Sequence, residues 1–254
     1  MTKLSANLGF LWPELELLEA IRVAKDVGFD AVEVHWPYIT HAVEMALVLE
    51  ELHMPLISLN TVGGDLNAGE FGMAALAGRE EDARAGIDKA LAYAADVSAK
   101  FVHVLAGRAQ GEEARASFVE NLTYAAAKAQ EYGVSILIEP ISEATQPGYF
   151  LTHVDQAASI ITEVGQPNVK ILFDCYHVQL TEGDLINRIE THLPLIGHIQ
   201  IAAVPDRGEP GHGEVDYPEL LRQVDALGYD GYVGAEYKPT GLTSDGLSWM
   251  ADID

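Results

Sequence analysis

Basic residues are scarce: fifteen Lys and Arg stand against thirty-nine Asp and Glu in 254 residues, a formal charge of −24. Such a surface repels nucleic-acid phosphates, and no basic stripe overrides the average, so nucleic acid is not an expected partner. Nor does it attract an anionic substrate; for an acid to bind, local cations or a metal ion must supply the attraction. Cysteine is scarcer still. Cys175 stands alone, so no intramolecular disulfide can form and nothing calls for an oxidising compartment. No apolar run approaches the roughly 20 residues that span a bilayer. The opening stretch MTKLSAN has neither the apolar segment nor the cleavage site of a signal peptide. A soluble, cytoplasmic protein without membrane partners is the expectation. Low-complexity tracts and linkers are also missing, and no Gly-x-Gly-x-x-Gly follows the first strand to mark a dinucleotide site.

What the chain does have is alternation. Short β-rich apolar runs are expected to form strands near Leu4–Leu8, Ala31–Trp36, Leu56–Asn60, Phe101–Leu105, Ser135–Glu139, Lys170–Asp174, His198–Ala202 and Tyr232–Tyr237. Several are nearly continuous hydrophobic runs, as in a parallel sheet covered on both faces. Between them, Leu17, Ile21, Ala24 and Val27 recur at helical spacing, as do Ala157, Ile160, Ile161 and Val164, and Leu220, Leu221, Val224 and Leu227. Gly28, Gly133, Gly165 and Gly228 fall where a helix should end, and Thr152 with Asp155 resembles a capping box. Eight strands and about eight helices in a chain close to the roughly 250 residues of an α/β barrel predict a single (β/α)8 TIM-barrel domain over residues 1–254. The connection Thr61–Gly78, rich in glycine, is too long for a bare turn and is expected to form a lid over the barrel mouth.

Catalytic groups of such barrels sit at the C-terminal ends of strands. Here the fifth expected strand ends at Glu139 and the sixth at Asp174, the seventh carries Gln200, and the eighth runs into Glu236. A single acid at a strand end also reads as a helix cap or an ion-pair partner. Four oxygen-bearing side chains on consecutive strands point instead to a cation. Three carboxylates converging without one would repel each other and lose hydration, at a cost of several kcal/mol each. All-oxygen ligation suits Mg²⁺ or Mn²⁺ better than zinc.

At this point the chain resembles the hydroxypyruvate isomerase family, among the xylose isomerase-like barrels. The resemblance runs over essentially the whole chain. It is carried by Asn60–Gly72 (NTVGGDLNAGEFG) with Gly78-Arg79-Glu80, by Gln200–Pro210 (QIAAVPDRGEP), by Glu236–Gly241 (EYKPTG), and by the shorter Ile138–Ile141 (IEPI) and Asp174–His177 (DCYH). It implies a metal held by Glu139, Asp174, Gln200 and Glu236, with the two glutamates as the acid/base pair. Ser142 and Cys175 depart from the pattern without touching a proposed ligand. The implied reaction interconverts hydroxypyruvate and 2-hydroxy-3-oxopropanoate by proton transfer through an enediolate. A 2-oxo-tetronate isomerase or a ketose 3-epimerase would use the same chemistry, and a sugar-binding protein without catalysis is the reading from another class. Barrels of this type often associate, though no interface is readable in the chain.

A small anionic 2-oxo acid needs a clamp. Arg207, after strand seven, can hold a carboxylate bidentately, and Lys238, after strand eight, can reach the rim, although either also reads as a solvated charge. His177 is expected to bind substrate or orient a ligand. His103 and His198 read as core histidines and His35 as pocket lining; Trp12 and Phe71 read as pocket walls or, as is more common for an aromatic near a barrel rim, as packing. Cys175 has no evident activating base and is not expected to be a nucleophile.

Overall fold

Each short apolar run forms a parallel strand because both its faces are covered: the inner one by the barrel interior, the outer one by helices. The computed structural model describes residues 2–253, so Met1 and Asp254, the ends of the expected domain, lie outside the described residues. The strands are β1 (Lys3–Asn7), β2 (Ala31–Glu33), β3 (Ser58–Asn60), β4 (Phe101–His103), β5 (Ser135–Ile138), β6 (Val169–Asp174), β7 (Ile196–Ile201) and β8 (Tyr232–Ala235). They pair in the order β2-β1-β8-β7-β6-β5-β4-β3. Backbone bonds from Val32 N to Pro55 O (3.0 Å), Ile57 N to Val32 O (2.8 Å) and Val34 N to Ser58 O (3.0 Å) join β2 to the chain entering β3 and close the ring. Several strands stop short of their expected ends, β2 at Glu33 and β4 at His103. Toward the mouth the chains diverge into loops and the ladder loses its partners.

The outer layer is α1 (Leu17–Asp26), α2 (Ala42–Leu52), α3 (Glu80–Asp96), α4 (Gly111–Tyr132), α5 (Val154–Val164), α6 (Cys175–Thr181), α7 (Leu185–His192) and α8 (Tyr217–Ala226). Gly133 and Gly165 end α4 and α5 with φ of 69° and 67°, the left-handed conformation that costs glycine least. The expected capping box is not formed. The Thr152 N–H goes to Gln156 Oε1 (3.1 Å), while Asp155 pairs with His192 (3.0 Å), a partner brought by tertiary packing. Helices are also distributed unevenly among the described residues: two follow β6, and only 3-10 turns follow β8, at Thr243–Asp245 and Leu247–Asp252. Trp12 secures those turns. Its backbone N–H donates to Thr243 Oγ1 (2.8 Å) and its indole to Ser244 Oγ (2.9 Å). None of the described helices is long and apolar enough to cross a membrane.

Strand alternation divides the barrel interior into an apolar floor and a polar mouth. Ala31, Ile57, Phe101, Leu137 and Leu172 form a separate buried apolar cluster at the floor. Two residues on from Ala31, Phe101, Leu137 and Leu172, toward the mouth, stand Glu33, His103, Glu139 and Asp174, all buried. The floor therefore gives the charged layer a fixed base. Leu137→Ala leaves a cavity there and is expected to cost about 2–5 kcal/mol. Urea denaturation should show a lower midpoint with an unchanged slope, the sign of lost stability without a changed unfolding transition.

Candidate active and metal site

Glu139 directly follows β5, Asp174 ends β6, Gln200 lies within β7 and Glu236 directly follows β8. Asp174 pairs in register with Gln200, and Gln200 with Gly234, two residues before Glu236. Alternation thus turns all four side chains to the same inner face. All four are buried, and Glu139, Gln200 and Glu236 line a cavity of about 430 Å³ at the barrel mouth, together with His177, Arg207 and Lys238.

The polar groups of this cavity are unevenly satisfied. Glu236 is well held: Oε1 accepts from Asn7 Nδ2 (3.0 Å) and lies 2.9 Å from His35 Nε2, and Oε2 accepts from Arg207 Nη2 (2.6 Å). The same Arg207 nitrogen donates to Asp174 Oδ2 (3.2 Å), and the guanidinium is flanked by the rings of Phe10 and Tyr176, whose centres lie 5.0 and 4.9 Å away. The other oxygen of Asp174 accepts from Tyr176 N (2.9 Å) and caps α6. Glu139 has no such holder. Its Oε1 is buried without a hydrogen-bond partner, as is Oε1 of Gln200. His177 Nε2 lies 3.5 Å from Asp174 Oδ2 and 3.8 Å from Glu139 Oε1, and His103 Nδ1 lies 3.7 Å from Glu139 Oε2.

Those contacts separate the carboxyl groups in acidity. Burial, reinforced by Glu236 and Asp174, raises Glu139 well above the ordinary carboxylate range. Burial raises Asp174 to about 7 against the pull of Arg207. Burial would raise Glu236 too, but Arg207, with His35, outweighs it and holds this carboxyl at about 2. Burial depresses His103 to about 3, and burial with the neighbouring Arg207 does the same to His177, so both imidazoles are neutral at ordinary pH. Three acids therefore share one guanidinium, and Glu139 is the one left without a counter-charge.

A divalent cation fits this arrangement. Potential ligand atoms of Glu139, Asp174 and His177 lie within 4.8 Å of one another, and Glu139 and Gln200, which both line the cavity, each have a buried oxygen without a hydrogen-bond partner. The group of three holds Glu139 and Asp174 of the four expected donors and adds His177; Glu236 stands outside it, its oxygens engaged by Asn7, His35 and Arg207. Of the expected clamps, Arg207 stands in the cavity wall but commits one nitrogen to Asp174 and Glu236, while Lys238 is exposed at the rim.

Phe71 lines the cavity, edge-on to Trp36 (6.2 Å between ring centres), so the expected lid segment does reach the mouth. Trp12 does not, being used to anchor the 3-10 turns. His103 lines the cavity, and His198 lies beneath it, 2.9 Å from Glu33. Asn7, Phe10 and Glu33 were not singled out from the chain. A single polar residue within or beside an apolar strand reads as an ordinary satisfied core group until its neighbours are known.

The family model described as the xylose isomerase-like TIM barrel matches residues 21–253. Among curated proteins, the chain is 43% identical to a 2-oxo-tetronate isomerase from Cupriavidus necator over 98% of both chains. It is 40% identical to a hydroxypyruvate isomerase from Escherichia coli, again over 98% of both. Among solved structures it matches a Brucella melitensis protein described as an AP endonuclease of family 2, with TM-score 0.96, 39% identity and coverage of 99% and 98%. A 3-keto-D-glucoside 4-epimerase from Escherichia coli, 22% identical with TM-score 0.81 over 99% of both chains, shares the fold.

The raised acidity constant of Asp174 has a measurable sign. A carboxyl whose folded-state value lies near 7 favours folding while protonated, below the ordinary range near about 4, and that contribution is lost as pH rises through about 7. Asp174→Asn removes the penalty of charging it. In chelator-treated protein the variant should therefore melt higher than wild type at pH 8, with the difference shrinking at pH 5. A difference equal at both pH values would show that Asp174 does not titrate in this window.

Proposed function

Because the chain belongs to the xylose isomerase-like TIM-barrel family, we propose that it is an isomerase of a small anionic 2-oxo acid, acting as one domain over residues 1–254. The reaction interconverts a 2-keto alcohol and a 2-hydroxy aldehyde, hydroxypyruvate and 2-hydroxy-3-oxopropanoate in the three-carbon case. The observation that carries this reading is two buried glutamates lining one cavity in unlike surroundings: Glu236 held by Asn7, His35 and Arg207, and Glu139 with an oxygen that has no hydrogen-bond partner. Carboxyl groups separated in this way can divide acid from base work.

In this mechanism Glu236 takes the proton from the carbon that bears the hydroxyl, Glu139 delivers one to the neighbouring carbon that carried the oxo group, and the hydroxyl proton passes to the former oxo oxygen; proton exchange with solvent then returns both glutamates to their starting states. Asn7 and His35 hold Glu236 in place for that transfer. The residues that would hold a divalent ion are Glu139, Asp174, Gln200 and Glu236, with His177 adjacent. Mg²⁺ or Mn²⁺ there would supply Lewis-acid polarisation of the carbonyl and neutralise the converging carboxylates. Arg207 and Lys238 offer the substrate carboxylate positive charge that the acidic surface does not. Phe10 and Phe71 flank the cavity and limit water. The cavity is within the range of small-molecule sites, about 300–1,000 Å³, and the Cupriavidus relative favours a four-carbon 2-oxo-tetronate as the second reading. The charge of −24 argues against the nucleic-acid substrate that the Brucella protein's description suggests.

Metal-loaded protein assayed against hydroxypyruvate, 2-oxo-tetronates and free ketoses, with aldehyde formation followed, tests the reading. Turnover on a 2-oxo acid, abolished by chelation and restored by Mg²⁺ or Mn²⁺, is the expected result; activity on neutral ketoses alone would replace the substrate class. Glu139→Gln and Glu236→Gln should keep the circular dichroism of the wild type and lose about 10²–10⁴-fold in kcat. Full activity in both would remove them from the mechanism. Arg207→Ala should raise KM and move the acidic limb of the kcat/KM profile to higher pH, since Glu236 loses the charge that holds it near 2. Unchanged kinetics would exclude Arg207 from both roles.

A further inference from the structure

A buried carboxylate beside the site takes no part in the mechanism above. Glu33, the last residue of β2, is wholly buried in the barrel interior. Three side chains converge on it from two strands. Ser5 Oγ donates to Oε1 at 2.6 Å, His198 Nε2 lies 2.9 Å from the same oxygen, and Gln200 Nε2 donates to Oε2 at 2.7 Å. Of these three, Gln200 lines the cavity. The space for the cluster comes from Gly234 on β8, where a Cβ would fall 2.1 Å from Glu33 Oε1 and 2.9 Å from both Gln200 Cγ and His198 Nε2.

An amide has two ends of nearly equal size, and half a turn about its last bond exchanges donor for acceptor. Gln200 is useful to a cation only when the oxygen faces it. A carboxylate accepts and does not donate, so Glu33 bonds the NH₂ end and repels the oxygen end. Gln200 Oε1, the other end of the amide, is then left buried without a partner in a residue that lines the cavity.

We propose that Glu33 is a positioning residue that sets the amide of Gln200 oxygen-first toward the cation, without itself touching substrate. The inference rests on the proposed reading of Gln200 as a metal ligand. Partners that orient a ligand in this way typically change metal affinity by about 10–100-fold when removed. Titration calorimetry of chelator-stripped protein with Mn²⁺ and Mg²⁺ reads that effect directly. Glu33→Gln, which can pair with Gln200 in either orientation, should bind the ion about 10–100-fold more weakly than wild type. In a Gln200→Ala background the same substitution should add no further loss, because its effect passes through that amide. Ser5→Ala, which removes a bond to Glu33 but leaves Gln200 alone, should stay near wild-type affinity and controls for loosening of the interior.

Equal affinity in Glu33→Gln and wild type, or losses that add in the double variant, would overturn the inference while leaving the metal reading intact. A wild type that binds neither ion would overturn the metal reading and the positioning role with it. Should Glu33→Gln not fold, the side-chain NH₂ resonances of Gln200 in the wild type decide. Slow solvent exchange supports the contact, and exchange as fast as a free amide overturns it.

Discussion

Three carboxyl groups removed from water at one end of a barrel, with a single guanidinium among them, set the terms for the rest of the mouth. Arg207 serves Asp174 and Glu236 and leaves Glu139 without a counter-charge. Burying ions without full compensation costs several kcal/mol each, so the surroundings are arranged around the deficit. Neutral imidazoles from His103 and His177 stand against Glu139, aromatic rings enclose Arg207, and unpartnered oxygens remain where a cation would be received. A fold selected for stability alone would have placed apolar side chains there.

The barrel tolerates this because its interior is divided along the strands. Leu137 and Leu172 pack the floor, and two residues on from each the same face carries Glu139 and Asp174. Period-two alternation carries stability and chemistry on one strand without mixing them. Glu33 and its partners extend the polar layer behind the cavity, where Gly234 leaves room for a carboxylate, an imidazole and an amide in a space that any side chain at 234 would fill.

Much of this was legible from the chain. The alternation of apolar runs with helical periods located all eight strands, and the polar strand ends marked Glu139, Asp174, Gln200 and Glu236 before any neighbours were known. Both local readings of Asp174 hold together: it caps α6 with one oxygen and pairs with Arg207 through the other. Other features were hidden for physical reasons. Of the two readings of Trp12, packing is the one that holds, and its partners Thr243 and Ser244 lie more than 230 residues away. Nothing in the neighbourhood of Arg207 along the chain shows that two carboxylates lie within reach of one of its nitrogens.

The sequence by itself determined the barrel and the rim on which the acids stand, because hydrophobic periodicity and strand-end position are local properties that survive without tertiary contacts. Only the tertiary structure decided which acid is favoured in its ionised form, which is pushed toward protonation, and which partner the Gln200 amide meets. Those outcomes depend on burial and on partners from strands distant in the chain: Asn7, His35 and Arg207 around Glu236, and Ser5, Glu33 and His198 behind Gln200. Acidity and amide orientation are set by distances of about 3 Å, and the order of residues along a chain does not contain them.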